Sequence, residues 1–164
     1  GQTVLAYTGT QSVVWRQAYR GGVLTQFSGG WVYFSPDGRS VGGGGSTSVV
    51  YARTNGQRMV SATEIRTGTL ALFNGQGLYH SPDGNYLGGG GQTTLVDSGV
   101  TRVEAAPSGR AYALKADGLL MASDDGRSPN YWSVTTGVRA FSIAAGDGSV
   151  QVQSTDPSQP GWEY

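Results

Sequence analysis

The chain has 164 residues, enough for one domain with its own core. Only 13% are charged, 11 basic against 11 acidic, and the basic residues stand singly, which argues against a nucleic-acid partner because phosphate backbones need clustered Lys and Arg. There is no Cys, so disulfide, thiolate-metal and cysteine-nucleophile chemistry are excluded, and no window approaches the roughly 18 apolar residues of a membrane span.

A core is still affordable: 37% of residues are hydrophobic, with 4 Trp, 9 Tyr and 4 Phe. Gly is far above usual usage at 28. The chain opens with Thr3-Val4-Leu5-Ala6-Tyr7. That pattern returns as Thr47-Ser48-Val49-Val50-Tyr51 and as Thr93-Thr94-Leu95-Val96. Between the first two lie Gly22, Phe27, Tyr33, the turn Ser35-Pro36-Asp37-Gly38 and the run Gly42–Gly45. A shift of 46 residues carries these to Gly68, Phe73, Tyr79, Ser81-Pro82-Asp83-Gly84 and Gly88–Gly91. A further 42 reaches Leu114, Met121 and Ser123-Asp124-Asp125-Gly126, where the glycine run has gone. A last shift of 38 takes Val96 to Val134, Val100 to Val138, Val103 to Phe141 and Leu114 to Val152. Repeats at this period decide an architecture before any local argument does.

Within the second copy, short runs at Met59–Ala62, Thr69–Phe73, Gly77–His80 and Thr94–Val96 are separated by turn residues. Asn74-Gly75 is a hairpin signal; Lys115–Gly118 and Ser28–Gly30 hold the same place in the other copies. Pro sets φ and Gly allows positive φ in the Pro-Asp-Gly turns. No window of eleven residues keeps a 3.6-residue period. The expectation is an all-β fold of four-stranded units, the size of propeller blades, spanning approximately 2–45, 46–91, 92–128 and 129–164. The last copy offers Val138–Ala145, Ser149–Gln153 and Gly161–Tyr164 but no outer strand. Thr3–Tyr7 is expected to complete it, closing a small four-bladed β-propeller ring and removing two sheet edges. A half-ring that closes by oligomerising and a β-trefoil are the structural alternatives.

The third copy, VTRVEAAPSGRAYALKADGLLMASDDGRS, and the start of the fourth, VRAFSIAAGDGSVQVQSTD, resemble repeats of the regulator of chromosome condensation type and of the related tectonin lectins. The Gly-rich stretch Val32–Gly45 is similar to the outer part of such repeats. The resemblance implies a propeller used for binding, as in exchange factors, enzyme inhibitors and lectins. It carries no catalytic residue onto this chain. That family usually has seven blades, against four here.

Several residues invite chemistry. His80 is the sole histidine; its counterparts are Phe34 and Ala122, which favours a half-exposed strand residue over a general base or a sugar-stacking imidazole. A Ser-His-Asp triad would have to use it, and no G-x-S-x-G stretch supports one. Asp37, Asp83 and Asp125 recur, either as turn residues or as ligand acceptors. Asp117, Asp124 and Asp125 lack the ligand spacing of a calcium loop. The glycine runs are followed by Ser46-Thr47 and Gln92-Thr93 and then strands, not by Lys and a helix, so phosphate binding is not expected. They allow a neighbouring backbone, an aromatic ring or a ligand to approach closely.

Sugar binding needs a flat apolar ring and a few neutral polar groups or carboxylates. The expected function is therefore a non-catalytic carbohydrate-binding lectin with blade-repeated pockets, secreted or at the cell surface, without metal or cofactor. The Gly, Ser, Thr, Gln and Asn richness with few Lys motivates the location. The candidate ligand residues are Asp37, Gly43, Gly44, Asp83, Tyr86, Gly89, Gly90 and Trp31. The partner is a glycan or surface glycoprotein. The alternatives are a protein-binding propeller, such as an enzyme inhibitor, and a glycan hydrolase or lyase using carboxylates near a central channel.

Overall fold

The computed structural model describes residues 12–38, 47–51, 57–88, 93–127, 132–156, 158 and 161–163. Among them are four antiparallel sheets and no helix. The first sheet is β1 (Val13–Tyr19), β2 (Gly22–Phe27), β3 (Val32–Ser35) and β4 (Ser48–Tyr51). The second is β5 (Met59–Ile65), β6 (Gly68–Phe73), β7 (Leu78–Ser81) and β8 (Thr94–Asp97). The third is β9 (Val100–Ala105), β10 (Ala111–Lys115), β11 (Leu120–Ser123) and β12 (Trp132–Thr135). The fourth is β13 (Val138–Ile143), β14 (Val150–Ser154) and β15 (Trp162–Glu163). Each sheet is a meander in chain order. Thr3–Tyr7, expected as the outer strand of the fourth sheet, lies outside the described residues.

The repeat shifts are registers. Tyr33 stands opposite Thr25 and Val49, and Tyr79 opposite Ala71 and Leu95. One shift needs correction. Val138 and Phe141 follow Val100 and Val103 at 38 residues, but Val150 and Val152 occupy the face held by Ala111 and Ala113, at 39. The hairpin is one residue longer: Ala106 N–H bonds Arg110 O, whereas Ala144 N–H bonds Ser149 O. A one-residue slip exchanges the faces of a strand, so Val152 corresponds to Ala113 and not to Leu114.

Sheets also carry bulges that recur. Val14, Val60, Thr101 and Arg139 are the unpaired residues of the inner strands; Val50, Val96 and Val134 are those of the outer strands. A bulge inserts one residue and strengthens the local twist. This explains why period-two alternation fails at both ends of each unit.

Successive sheets stack face to face. Leu24, Val32, Val50 and Tyr51 of the first meet Met59, Ala62, Ala71 and Phe73 of the second. Leu70, Leu72 and Leu78 on the other face of the second meet Val100, Val103, Ala111 and Ala113 of the third. Tyr112, Leu114, Leu120 and Ala122 then meet Val138, Phe141, Val150 and Val152 of the fourth. A sheet covered on both faces needs apolar residues at consecutive positions, which is why β6 reads Leu-Ala-Leu-Phe. Each such leucine contributes about 2 kcal/mol by leaving water.

Between the first two sheets, two side chains act as strand substitutes. Gln26 Nε2 donates to Met59 O at 3.0 Å, and its Oε1 accepts from Met59 N–H at 3.0 Å. Gln17 does the same with Ala62 O and Ala62 N–H. A carboxamide is chemically a peptide group, so each Gln completes the open edge of β5 as a neighbouring strand would. Thr63 and Leu72 hold these places in the second sheet, so the device belongs to this junction.

Glycines mark where sheets touch. Gly84 (φ +71°) and Gly126 (φ +69°) end the Ser-x-Asp-Gly turns. A Cβ on Gly84 would lie 2.6 Å from Tyr19 Oη, and one on Gly126 would lie 2.3 Å from Ile65 Cδ1. Tyr19 and Ile65 are equivalent, so the strand ends of the first and second sheets plug the turns of the second and third. Gly88, first of the second glycine run, lies on Tyr51 and Phe73, where a Cβ would come within 2.4 and 2.9 Å. Leu87 beside it is fully buried and its N–H bonds Val50 O at 2.9 Å.

Removing the carboxamide in Gln26→Ala leaves Met59 N–H and C=O buried and unpaired, at about 1–3 kcal/mol per group. Urea unfolding is expected to show a loss of about 2–4 kcal/mol with unchanged denaturant dependence. Gly38→Ala and Gly84→Ala both force a side chain into the left-handed region, at about 1 kcal/mol. Only the second adds a clash, since the nearest atom to a Cβ on Gly38 is Val23 Cγ2 at 3.3 Å. Gly84→Ala is expected to lower the thermal midpoint clearly more than Gly38→Ala; equal losses would remove the plug.

Candidate functional site

Antiparallel meanders place alternate connections at opposite ends. The hairpins after β1, β5, β9 and β13 and the turns after β3, β7 and β11 form one rim, called here the turn rim. The connections after β2, β6 and β10 form the other. Asp37, Asp83, Tyr86 and Asp125 belong to the turn rim. Trp31 precedes β3 on the opposite rim, and β3 alone spans about 13 Å. Trp31 is 40% exposed and Tyr86 51% exposed. The expected ligand residues therefore do not form one set: Asp37, Asp83 and Tyr86 share a rim and Trp31 does not. Gly43, Gly44, Gly89 and Gly90 lie outside the described residues.

The repeated aspartates have a common local task. Ser35 Oγ bonds Asp37 Oδ1 at 3.1 Å, Ser81 Oγ bonds Asp83 Oδ1 at 3.3 Å, and Ser123 Oγ bonds Asp125 Oδ1 at 3.2 Å. Asp83 Oδ1 also accepts Asn85 N–H, and Asp125 Oδ1 accepts Arg127 N–H, each at 2.9 Å. Gly84 and Gly126 N–H groups bond the serine hydroxyls at 3.1 and 2.8 Å. These are carboxylates closing their own turns. Asp117 accepts Leu119 N–H on the opposite rim, away from Asp124 and Asp125, so the three do not converge. No cluster of three metal-ligating side chains occurs among the described residues.

Asp83 also borders a concavity. At the junction of the first two sheets, Arg20, Glu64, Thr69, Pro82, Asp83 and Gly84 line a pocket of about 190 Å³. Its wall is set by Tyr19. The phenol donates to Gly84 O at 3.1 Å, so the 2.7 Å contact with Thr69 is a bond donated by the threonine hydroxyl. Burial is the main cause that raises the Tyr19 pKa, so the phenol stays a donor. Arg20 is a non-glycine residue at φ +48°, and its Nη1 donates to Asp83 O at 2.7 Å. At the next junction Arg66 instead bonds Ser108 O, and Ala105 stands where Glu64 does, Glu64 pairing with Thr69 and Ala105 with Ala111.

The inner strands of all four sheets line a second, larger cleft of about 490 Å³. Its walls include Gln17, Ser61, Thr63, Glu64, Glu104 and Ile143. Glu64 is shared with the junction pocket, so the two concavities are continuous at that residue. Glu104 is ion-paired to Arg102 at 2.9 Å. Glu64 and Glu104 carry no repeat signal and no motif in the sequence, Arg20 recurs only as Arg66 at the 46-residue shift, and only the stacking of sheets assembles them. His80 is a strand residue on β7 as expected but is fully buried in the second junction instead of half-exposed, because the third sheet covers it; it is bonded to Thr67 and lines neither concavity.

No family model and no curated protein sequence matches the chain. Among solved structures the fold is similar to YCF48 from Cyanidioschyzon merolae, a β-propeller, with a TM-score of 0.52 and 12% identity. The similarity covers 81% of this chain and 46% of that one, so the chain spans about half the length of its structural neighbour. Repeated antiparallel sheets radiating from inner strands that share a cleft are a propeller-type arrangement, and at this identity the likeness concerns the fold alone.

Proposed function

We propose that the protein is a non-catalytic carbohydrate-binding module whose ligand sits at the turn rim between the first and second sheets. The observation that carries this is the position of Asp83. Asp83, an expected ligand residue, borders a formed pocket, beside the donors of Arg20, the carboxylate of Glu64 and the ring of Pro82. Carboxylates and a guanidinium over a small apolar surface match the hydroxyls and C–H face of a sugar. The pocket depends on Glu64 and Arg20 in their particular places, so binding is assigned to one junction and not to every blade. A secreted or cell-surface location follows from this reading, since that is where glycans are displayed. A repeat of the chromosome-condensation-regulator or tectonin type is the relationship proposed.

Asp83→Asn keeps an oxygen to accept from Ser81 and Asn85 and removes only the charge. On a glycan array the native chain is expected to bind, and Asp83→Asn and Glu64→Gln to weaken binding about 10–100-fold, as for a lost charged hydrogen bond. A clean negative at high protein concentration overturns the lectin. Glu64 and Glu104 in one cleft favour glycan cleavage as the second reading. New reducing ends released by the native chain and lost in Glu104→Gln would establish that reading instead.

The proposed architecture is a ring in which Thr3–Tyr7 completes the fourth sheet beside β15. Its support is the outer-strand pattern of that segment and the three-stranded fourth sheet. The chain is free of Cys, so a Val4→Cys/Glu163→Cys pair has no competing thiol. Mild oxidation is expected to give an intramolecular disulfide in monomeric protein; disulfide-linked dimers alone would show closure by a second copy.

A further inference from the structure

The second junction contains the only histidine, and the mechanism of ligand binding makes no use of it. His80 on β7 is 1% exposed. Its Nε2 lies 2.9 Å from Thr67 Oγ1, and the Thr67 hydroxyl donates to Asp125 O of the third sheet. A hydroxyl has one proton, and here it goes to a carbonyl, which only accepts. Thr67 Oγ1 must therefore accept from His80, which assigns the Nε2–H tautomer to the neutral ring. The chain of bonds runs from β7 through the hairpin after β5 into the turn after β11. Beside it, Gly126 receives Ile65 and lies against the ring, with a Cβ there 3.4 Å from His80 Cδ2.

We infer that His80, Thr67 and Asp125 form an acid-sensitive latch between the second and third sheets, closed while the imidazole is neutral and loosened when Nδ1 takes a proton. The added charge would sit in a site closed to water, beside Gly126, around which Leu70 and Ile65 also converge. The charged groups around it are Asp125 and Arg127 from the third sheet and Arg66 beside Thr67, with the Arg110–Asp124 pair beyond. Asp125 favours the imidazolium, but its Oδ1 is taken by Ser123 Oγ and Arg127 N–H. Arg127 opposes it.

The direction follows from burial first and from Arg127 second, which lower the His80 pKa from 6.5, with Asp125 offsetting part. The unfolded chain thus binds the proton more readily than the folded one. The latch contributes its full stability above the unfolded value, and that contribution is lost as pH falls through the folded value.

Backbone hydrogen exchange of residues 123–127 tests this, compared between about pH 7.5 and pH 5 after correction for intrinsic rates. Gly84 and Asn85 at the first junction serve as the internal reference. Exchange at 123–127 is expected to rise relative to the reference as the pH is lowered. His80→Gln places an amide donor near Nε2 without a titrating group and is expected to abolish the rise. An equal response at both junctions, or a His80→Gln variant that keeps the rise, overturns the latch. If that variant does not fold, long-range ¹H–¹⁵N spectra of the native ring decide: an Nδ1–H tautomer overturns it.

Discussion

Neighbouring sheets in this protein approach until no Cβ fits between them. That constraint organises the rest. The turn glycines Gly84 and Gly126 admit Tyr19 and Ile65 from the preceding sheet, and Gly88 lies flat on Tyr51 and Phe73. Closeness of this kind also operates inside a sheet. A Cβ on Gly22 or Gly68 would meet Ser35 O or Ser81 O at 2.2 Å, because the Pro-Asp-Gly turn folds back over the start of the second strand. In the third sheet Asp124 replaces the proline and Arg110 replaces the glycine, and the two are 3.5 Å apart as an ion pair. The same local problem is solved once by removing atoms and once by adding charges.

The three junctions share a scaffold and differ in polar chemistry. The first is joined by Gln26 and Gln17 acting as peptide groups and by the Tyr19 hydroxyl. The second uses His80 and Thr67 across Leu70 and Ile65. The third is an apolar stack around Leu114, Phe141 and Val152, with the Arg102 guanidinium 5.1 Å from the centroid of the Phe141 ring. A pocket of mixed charge arises where the polar chemistry leaves Arg20, Glu64 and Asp83 around one hollow. The functional proposal rests on this difference between copies, not on their likeness.

The Gly-rich stretch after Ser35 and Ser81 shows how far residues alone can be followed. Its turn and its place between third and fourth strands were legible because serine, aspartate and glycine are required at those offsets by backbone geometry. The aspartates were legible as recurrent but not as ligands: their Oδ1 atoms close the turn, and recurrence reports that local duty. Arg20 and Glu64 were not legible at all. Glu64 does not recur and Arg20 recurs only as a lone Arg66, and their proximity to Asp83 depends on how one sheet rotates against the next.

By itself the sequence determined the unit: four strands, their turns, their period and an all-β chain, since each of these is a local matter of φ preference, hydrogen-bond satisfaction and alternation. It also determined that His80 was no general motif, through its counterparts Phe34 and Ala122. Tertiary structure alone decided the bulges, the one-residue slip between Leu114 and Val152, and the division of Trp31 from Asp83. It also decided that the first glycine of the second run serves packing between sheets. These depend on contacts among residues tens of positions apart, whose energies come from close packing and buried polar pairing that no short window contains.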